Sequence, residues 1–415
     1  LSGMVDTLML SAVGDYAVGA VGTANSYIGI FIIMFSIISS GMVSVMTQNI
    51  GAGRPGVAYQ ARQLGLLFNA VAGVLMAVFL FSGAGAILRM VGIADALYEP
   101  ALIYLKIVGG GCILNAVIPI FSSYLRAFGY TKQPLYATIV GNIANFVMNA
   151  VFLFVLHKGV AGVAIATVIS KILNLCIVLY FSHKLISAKN STERIANKTV
   201  LGQIVKVGLP SACETALYNV AMMLVIRFLN QMDAEGLNVT ARSYTATISN
   251  FSYCVGAALA QANAIMTGWH IGAGELEECD RGTKRAAFVG VCVAVCMETA
   301  IVLGSGFIMP LFTDNPEMTA LVRKLLAIDI VLEIGRVTNL VFGQALKTSG
   351  DAVFPAVIAA VFMFVFAVGG TWLFGISMGL MAVGAYIGLA SDECVRAVGM
   401  VWRWKTGKWR TKKLV

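Results

Sequence analysis

The sequence predicts an all-α, polytopic membrane protein of twelve transmembrane helices, arranged as two six-helix bundles. Three observations carry this. Of the 415 residues, 59% are hydrophobic and 12% charged, whereas soluble domains are about 45–50% apolar and about 25% charged. With a mean hydropathy of +0.85, such a chain cannot cover itself with polar surface, and a soluble enzyme is excluded. The apolar blocks are far longer than the roughly 10-residue alternating strands of a membrane barrel, and at about 20 residues per crossing they supply about a dozen helices. Finally, the two halves of the chain match each other at a fixed offset.

Loop signals cut the chain into apolar segments at 1–14, 19–48, 59–88, 99–128, 133–156 and 159–183. Six more follow at 201–231, 237–268, 283–310, 318–347, 353–374 and 378–402. Of the 29 Lys and Arg, nineteen fall in the even-numbered connections and the tail. Four (Arg89, Lys158, Arg323 and Lys324) fall in the odd-numbered ones, and six lie within or beside the segments. By the positive-inside rule, the loop at 184–206 and the C-terminus are expected to be cytoplasmic, in a cell membrane crossed many times. Trp402, Trp404 and Trp409 fit interfacial anchors. The net charge of +9 therefore marks topology, and no nucleic-acid partner is expected.

Ile50-Gly51-Ala52-Gly53 recurs as Ile271-Gly272-Ala273-Gly274, an offset of 221. Leu125-Arg126, Gly129 and Pro134 recur as Leu346-Lys347, Gly350 and Pro355 at the same offset, and Gly159 and Val163 match Gly379 and Val383 at 220. Matches at nearly one offset indicate a duplication. Six helices per unit is an even number, so both units share one orientation and are expected to be related by a pseudo-two-fold axis along the membrane normal. The expected organisation is an N-lobe at 1–183, an inter-lobe loop at 184–200, a C-lobe at 201–402 and a basic tail at 403–415. The offset pairs Leu1 with Met222 and Asp6 with Arg227, so the first helix is expected to lack about 20 leading residues.

Other chemistries find little support. The eight cysteines form no C-x-x-C pair, and the three histidines, His157, His183 and His270, are far apart. Neither zinc spacing nor a disulfide framework is present. Gly51-Ala52-Gly53-Arg54-Pro55-Gly56 matches G-x-G-x-x-G formally, but it caps a spanning helix and follows no strand. No Walker motif is present, so ATP drive is not expected.

Several motifs resemble one family. They are Val5-Asp6-Thr7, Gln48-Asn49-Ile50-Gly51-Ala52-Gly53, and Leu125-Arg126-Ala127-Phe128-Gly129-Tyr130-Thr131-Lys132-Gln133-Pro134. Gly159-Val160-Ala161-Gly162-Val163-Ala164-Ile165-Ala166-Thr167, Gly208-Leu209-Pro210 and Ala345-Leu346-Lys347-Thr348-Ser349-Gly350-Asp351 complete the set. In order and spacing they resemble the multidrug and toxic compound extrusion (MATE) transporters. The resemblance implies a twelve-helix antiporter that expels organic, often cationic, compounds against Na⁺ or H⁺; a monomer that needs no cofactor beyond its coupling ion is expected. A lipid-linked oligosaccharide flippase of the same superfamily is the alternative. Such flippases have a strongly cationic cavity, and this chain has more intramembrane acid than that requires.

The candidate transport residues are the polar ones inside apolar segments, because a charge at the centre of a membrane helix costs about 2.5–3.5 kcal/mol on insertion scales. Asp6 in the first segment is the candidate proton or cation carrier, and the resemblance places a coupling acid there. Asn142, Asn145 and Asn149 lie in the fifth segment, with 145 and 149 on one face. Their amide oxygens suit Na⁺ or a protonated acid, and Thr167 adds a hydroxyl. The resemblance implies an ion site of Asp6, Asn145, Asn149 and Thr167, but family members with such a site have a carboxylate where this chain has Asn149. Amide contacts between helices are the plainer reading.

Glu214, one turn after Pro210, together with Asp329 and Glu298, is a candidate for a substrate cavity or a second titratable site. Glu333 and Arg336 are spaced i, i+3 and are expected as a structural ion pair, and Asp392, Glu393 and Arg396 as a local group. Phe31, Met34, Tyr124, Tyr218, Met222 and Tyr253 are candidates for an adaptable cavity wall.

Overall fold

The computed structural model describes residues 9–10, 15–90, 95–186, 193–233 and 236–415. Most of the first segment, with Asp6, lies outside the described residues. Among the described residues the chain is almost wholly helical, without strands. The helices are α1 (Asp15–Gly51), α2 (Pro55–Met90), α3 (Asp95–Gly110), α4 (Cys112–Ala127), α5 (Lys132–Ala150) and α6 (Gly159–Leu185). There follow α7 (Asn197–Met232), α8 (Leu237–Ala273), α9 (Leu276–Ile308), α10 (Pro316–Ser349), α11 (Val353–Phe362) and α12 (Met381–Lys405).

The fourth apolar segment proves to be two helices, α3 and α4, bent by 41° at one break. The break falls in Gly109-Gly110-Gly111, where the absence of side chains removes the stiffness of a helix interior. Pro210 lies inside α7.

Seven helical stretches are each long and apolar enough to cross a membrane: those containing α1, α2, α5, α6, α7, α9 and α11. The long helices α8, α10 and α12 fall outside that group. The physical reason is visible in their packing, since α10 lies against both α8 and α12; α10 carries buried Asp329 and Glu333, α12 buried Asp392, Glu393 and Arg396, and α8 buried polar residues such as Thr245, Ser249, Ser252 and Asn263. Inner helices exchange hydropathy for charge, while outer ones keep apolar faces such as Leu75, Phe79 and Phe81 exposed.

Residues Leu1–Met46 and Arg54–Gly208 form one compact unit, and Thr47–Gly53 with Leu209–Val415 form the other. Asn69 anchors the first unit, its buried amide donating to the carbonyls of Phe35 and Ala116 at 3.2 and 3.0 Å. In the second unit, α12 and the tail bury Trp404 and Trp409, stacked at 4.2 Å and 9°.

The repeat is written in the backbone. Gly129 and Gly350, 221 residues apart, both adopt positive φ (84° and 99°). Each ends its helix with the same pair of bonds: Gly129 N–H to Arg126 and Tyr130 N–H to Leu125, Gly350 N–H to Lys347 and Asp351 N–H to Leu346. This is the Schellman cap, which favours glycine. Gly53 and Gly274 form a second such pair, with φ of 74° and 79°.

The register near Gly159 requires a correction. The residues with positive φ are His157 and Gly159 in one copy and Gly379 and Met381 in the other. The matching bonds, Lys158 N–H to Phe152 and Leu380 N–H to Phe374, also differ by 222, not the 220 of the Gly159–Gly379 match. The turn needs left-handed backbone at two places, and each copy has its glycine at a different one. Glycine identity therefore misaligned the turn by two residues.

Candidate functional site

Two polar cavities stand out, one inside each unit. The cavity of the second unit measures about 340 Å³ and lies among α7, α8, α10 and α12. Asp329 and Arg336 of α10 line it, with Asp392 and Glu393 of α12, Arg242 and Ser249 of α8, and Tyr218, Tyr253 and Tyr386. What brings these charges together is Gly335, between Glu333 and Arg336. A Cβ there would come within 2.7–3.0 Å of the Glu393–Cys394 backbone, so glycine lets α10 and α12 approach at the charged level.

The charges form a graded network. Arg336 Nη1 meets Glu333 Oε1, and Arg336 Nε lies 3.7 Å from Glu393 Oε1. Asn339 donates to Glu393 Oε2 at 3.0 Å. Arg396 binds both Asp392 oxygens, at 3.1 and 2.7 Å, and reaches Glu393 Oε1 at 2.8 Å. Asp329 has no arginine or lysine at ion-pair distance among the described residues. It is buried, and its Oδ2, like Glu333 Oε2 and both Glu298 carboxylate oxygens, has no hydrogen-bond partner among the described residues. Glu298 of α9, fully buried, is absent from the cavity wall, but its charge interacts with Asp329 and Glu333.

Glu214 is not part of this wall. Its carboxylate meets Lys347 Nζ at 2.8 Å. Of the six aromatic and methionine candidates, Tyr218, Met222 and Tyr253 line the cavity. Phe31 packs edge-on against Phe79, and Met34 is exposed. Tyr124 is buried beneath the Arg62 guanidinium, 5.0 Å from its ring centre.

The cavity of the first unit, about 290 Å³, is lined by Asn115 of α4, Asn142 and Asn145 of α5, and Thr167, Ser170, Lys171 and Asn174 of α6. Asn145 and Thr167 are thus brought together. Asn149 is fully buried one turn away, donating to Asn145 Oδ1 at 3.4 Å, and does not line the space. Among the described residues no cluster of three His, Cys, Asp or Glu side chains suits a metal ion.

The model of the MatE family matches residues 1–151 and 210–373. The chain belongs to the MatE family. Members of this family are transporters rather than enzymes, and the chain is a multi-pass membrane protein. It is 32% identical to an uncharacterized transporter of Bacillus subtilis, YisQ, over 99% of this chain and 91% of that one. It is 20% identical to the probable multidrug resistance protein NorM of Thermotoga maritima, over 100% and 90%. A solved multidrug resistance MATE transporter in an outward-facing conformation superposes with a TM-score of 0.90 at 20% identity, covering 99% of this chain and 92% of that one. The fold is the twelve-helix transporter fold.

Some residues of these MatE-family cavities escaped sequence reasoning. Lys171, Asn115 and Asn174 went unremarked as site residues, although Asn174 lies seven positions after Thr167, on the same helix face. Arg242 and Asn339 left no such signal, since their partners sit on other helices.

Proposed function

We propose that this MatE-family transporter is a secondary active antiporter, exporting organic, often cationic, compounds in exchange for Na⁺ or H⁺ by alternating access. The observation that carries the reading is Asp329. The other acids on its cavity wall, Asp392 and Glu393, are held by Arg396 and Arg336, whereas Asp329 presents a buried oxygen without a hydrogen-bond partner among the described residues. A buried carboxylate in that state calls for a proton or a cation. Exchanging one for the other gives the two-state element that an antiporter needs, because a ligand shifts an equilibrium only by its differential affinity for the two states.

Tyr218, Tyr253 and Met222 supply an aromatic, adaptable wall suited to varied organic cations. The multidrug designation of the NorM relative supports the same substrate class. The carboxylates of the second unit weigh against a lipid-linked oligosaccharide flippase, whose phosphates call for a cationic cavity. The positive-inside pattern supports a cytoplasmic 184–206 loop and tail.

The test is efflux of a cationic dye from vesicles under imposed Na⁺ or pH gradients, comparing wild type with Asp329→Asn and Asp6→Asn. Loss of gradient-driven efflux in Asp329→Asn is expected. Wild-type efflux rates in that variant would refute the role of Asp329.

A further inference from the structure

We propose that Glu298 of α9 is a second proton site of the second unit, loaded from the cavity through Asp329 and the hydroxyls of Ser249 and Ser252. This role rests on the antiporter reading for its meaning, but not for its test. Glu298 is fully buried and off the cavity wall. Both of its oxygens lack a hydrogen-bond partner among the described residues. A buried carboxyl kept only for packing would have its oxygens bonded. Around it stand Ser252 of α8 and Asp329, Glu333 and Arg336 of α10. That guanidinium is already engaged by Glu333 and Glu393.

Within this network the carboxyls outnumber their counter-charges. Glu298, Asp329, Glu333, Asp392 and Glu393 are all buried, against the guanidiniums of Arg242, Arg336 and Arg396. Two carboxyls are left in need of positive charge. Asp329 and Glu298 are the two without an arginine or lysine at ion-pair distance among the described residues. An ionised carboxylate in that position is strongly disfavoured. Asp329 borders the cavity, where a proton or a larger cation reaches it. Glu298 lies outside that space, and among the described residues no cluster of three His, Cys, Asp or Glu side chains suits a metal ion. A proton needs neither room nor a coordination shell.

The two acids are linked along α8. Ser252 faces the Glu298 carboxyl, and Ser249 faces that of Asp329. The serines are three positions apart and share a helix face. Neither hydroxyl forms a hydrogen bond among the described residues, although Ser252 is fully buried and Ser249 nearly so. Each is therefore free to accept one proton and give up another. Asp329 passes its proton to Ser249, Ser249 passes its own to Ser252, and Ser252 passes its own to the Glu298 carboxylate. Both serines end as hydroxyls. One O–H bond is lost at Asp329, one is gained at Glu298, and no electrons change hands.

The experiment is infrared spectroscopy of the full chain in nanodiscs near pH 7, reading the C=O stretch of protonated carboxyl groups without any transport step. The difference between wild type and Glu298→Gln is expected to contain that band, and its absence overturns the proton site. Should Glu298→Gln fail to fold, Glu298→Asp replaces it, with the band expected to shift in frequency and an unshifted spectrum overturning the site. On rapid transfer to D₂O the band moves as the carboxyl proton exchanges. Ser252→Ala should slow that exchange about a hundredfold, the lower end of what a positioned proton-transfer group contributes. Ser252→Thr, which keeps the hydroxyl, should exchange like wild type. Equal rates in Ser252→Ala and wild type overturn the route, as does Ser252→Thr exchanging as slowly as Ser252→Ala. A missing band or an unslowed exchange in a chain that still transports condemns the Glu298 inference alone. The expected band and exchange in a wild-type chain inert under every gradient condemn the antiporter reading alone.

Discussion

Arg396 and Asp392 face each other one turn apart on α12, joined by two hydrogen bonds of 3.1 and 2.7 Å. The same guanidinium reaches Glu393 Oε1 at 2.8 Å, and all three residues are buried. Such a cluster is costly to desolvate and costlier to break, because losing one partner strands the others in a medium that cannot solvate them.

Arg396→Met should therefore destabilise the protein by about 3–5 kcal/mol, the range for stranding a buried charge. Thermal unfolding in detergent measures it. Adding Asp392→Asn should restore part of the loss, since it removes one of the stranded charges. An unchanged melting temperature in Arg396→Met would show that the network contributes nothing to stability.

Glu214 and Lys347 meet at 2.8 Å, their side chains 21% and 13% exposed. That burial sets them apart from surface pairs, which contribute about 0–1 kcal/mol. A double-mutant cycle of Glu214→Gln and Lys347→Met should give a coupling of roughly 1–2 kcal/mol, within the span for residues in direct contact. Strictly additive effects would return Glu214 to the list of independent substrate-facing acids.

Asp233, the residue after α7, holds the start of α8 with its carboxylate. It accepts the Leu237 and Asn238 amides at 2.9 and 3.0 Å, and the Asn238 side chain as well. Burial pushes the carboxyl up, but the hydrogen bonds from Asn238 and Leu237 outweigh it and hold the group below its ordinary 3.8. A depressed folded-state value means stability that is present above pH 3.8 and lost as pH falls through the lower folded value. The wild type should therefore melt above Asp233→Asn at pH 6, with the gap closing below pH 3.8. A gap independent of pH would rule out the charged cap.

Trp404 ties the tail to the rest of its unit. Its Nε1 donates to Asp280 Oδ1 at 2.8 Å, and its ring stacks on Trp409, whose Nε1 returns to the Trp404 carbonyl at 3.1 Å. Trp404→Ala should cost about 3–5 kcal/mol, as for large aromatic truncations in a core. It should also speed tryptic cleavage at Lys408 and Lys412. Unchanged cleavage would mean that the tail is held by other contacts, such as Leu414 N–H to Gln48 Oε1 at 2.7 Å.

The features legible in the sequence are those whose cause is local. The pairing of Arg336 with Glu333 and of Arg396 with Asp392 follows from three- and four-residue spacing on one helix. The caps at Gly129 and Gly350 follow from a conformation that glycine adopts without strain. Where local identity and local geometry part company, as at Gly159 and Gly379, the sequence alignment slips by two. Glu214 illustrates the other limit. Alone on its helix, it looks like a free acid, and Lys347, 133 positions away, neutralises it.

The sequence by itself determined that this is a helical membrane protein with an internal repeat, because hydropathy, helix periodicity and turn geometry act over a few residues at a time. It also determined which helices carry charge. Only the tertiary structure decided what each charge faces: that Gly335 lets Glu393 reach Arg336 and Asn339, that Asp329 keeps an unpartnered oxygen among the described residues, and that Lys171 shares a cavity with Asn145 and Thr167. The physical reason is that a charge in a low-dielectric interior is governed by neighbours within a few ångströms, and those neighbours come from helices far away in the chain.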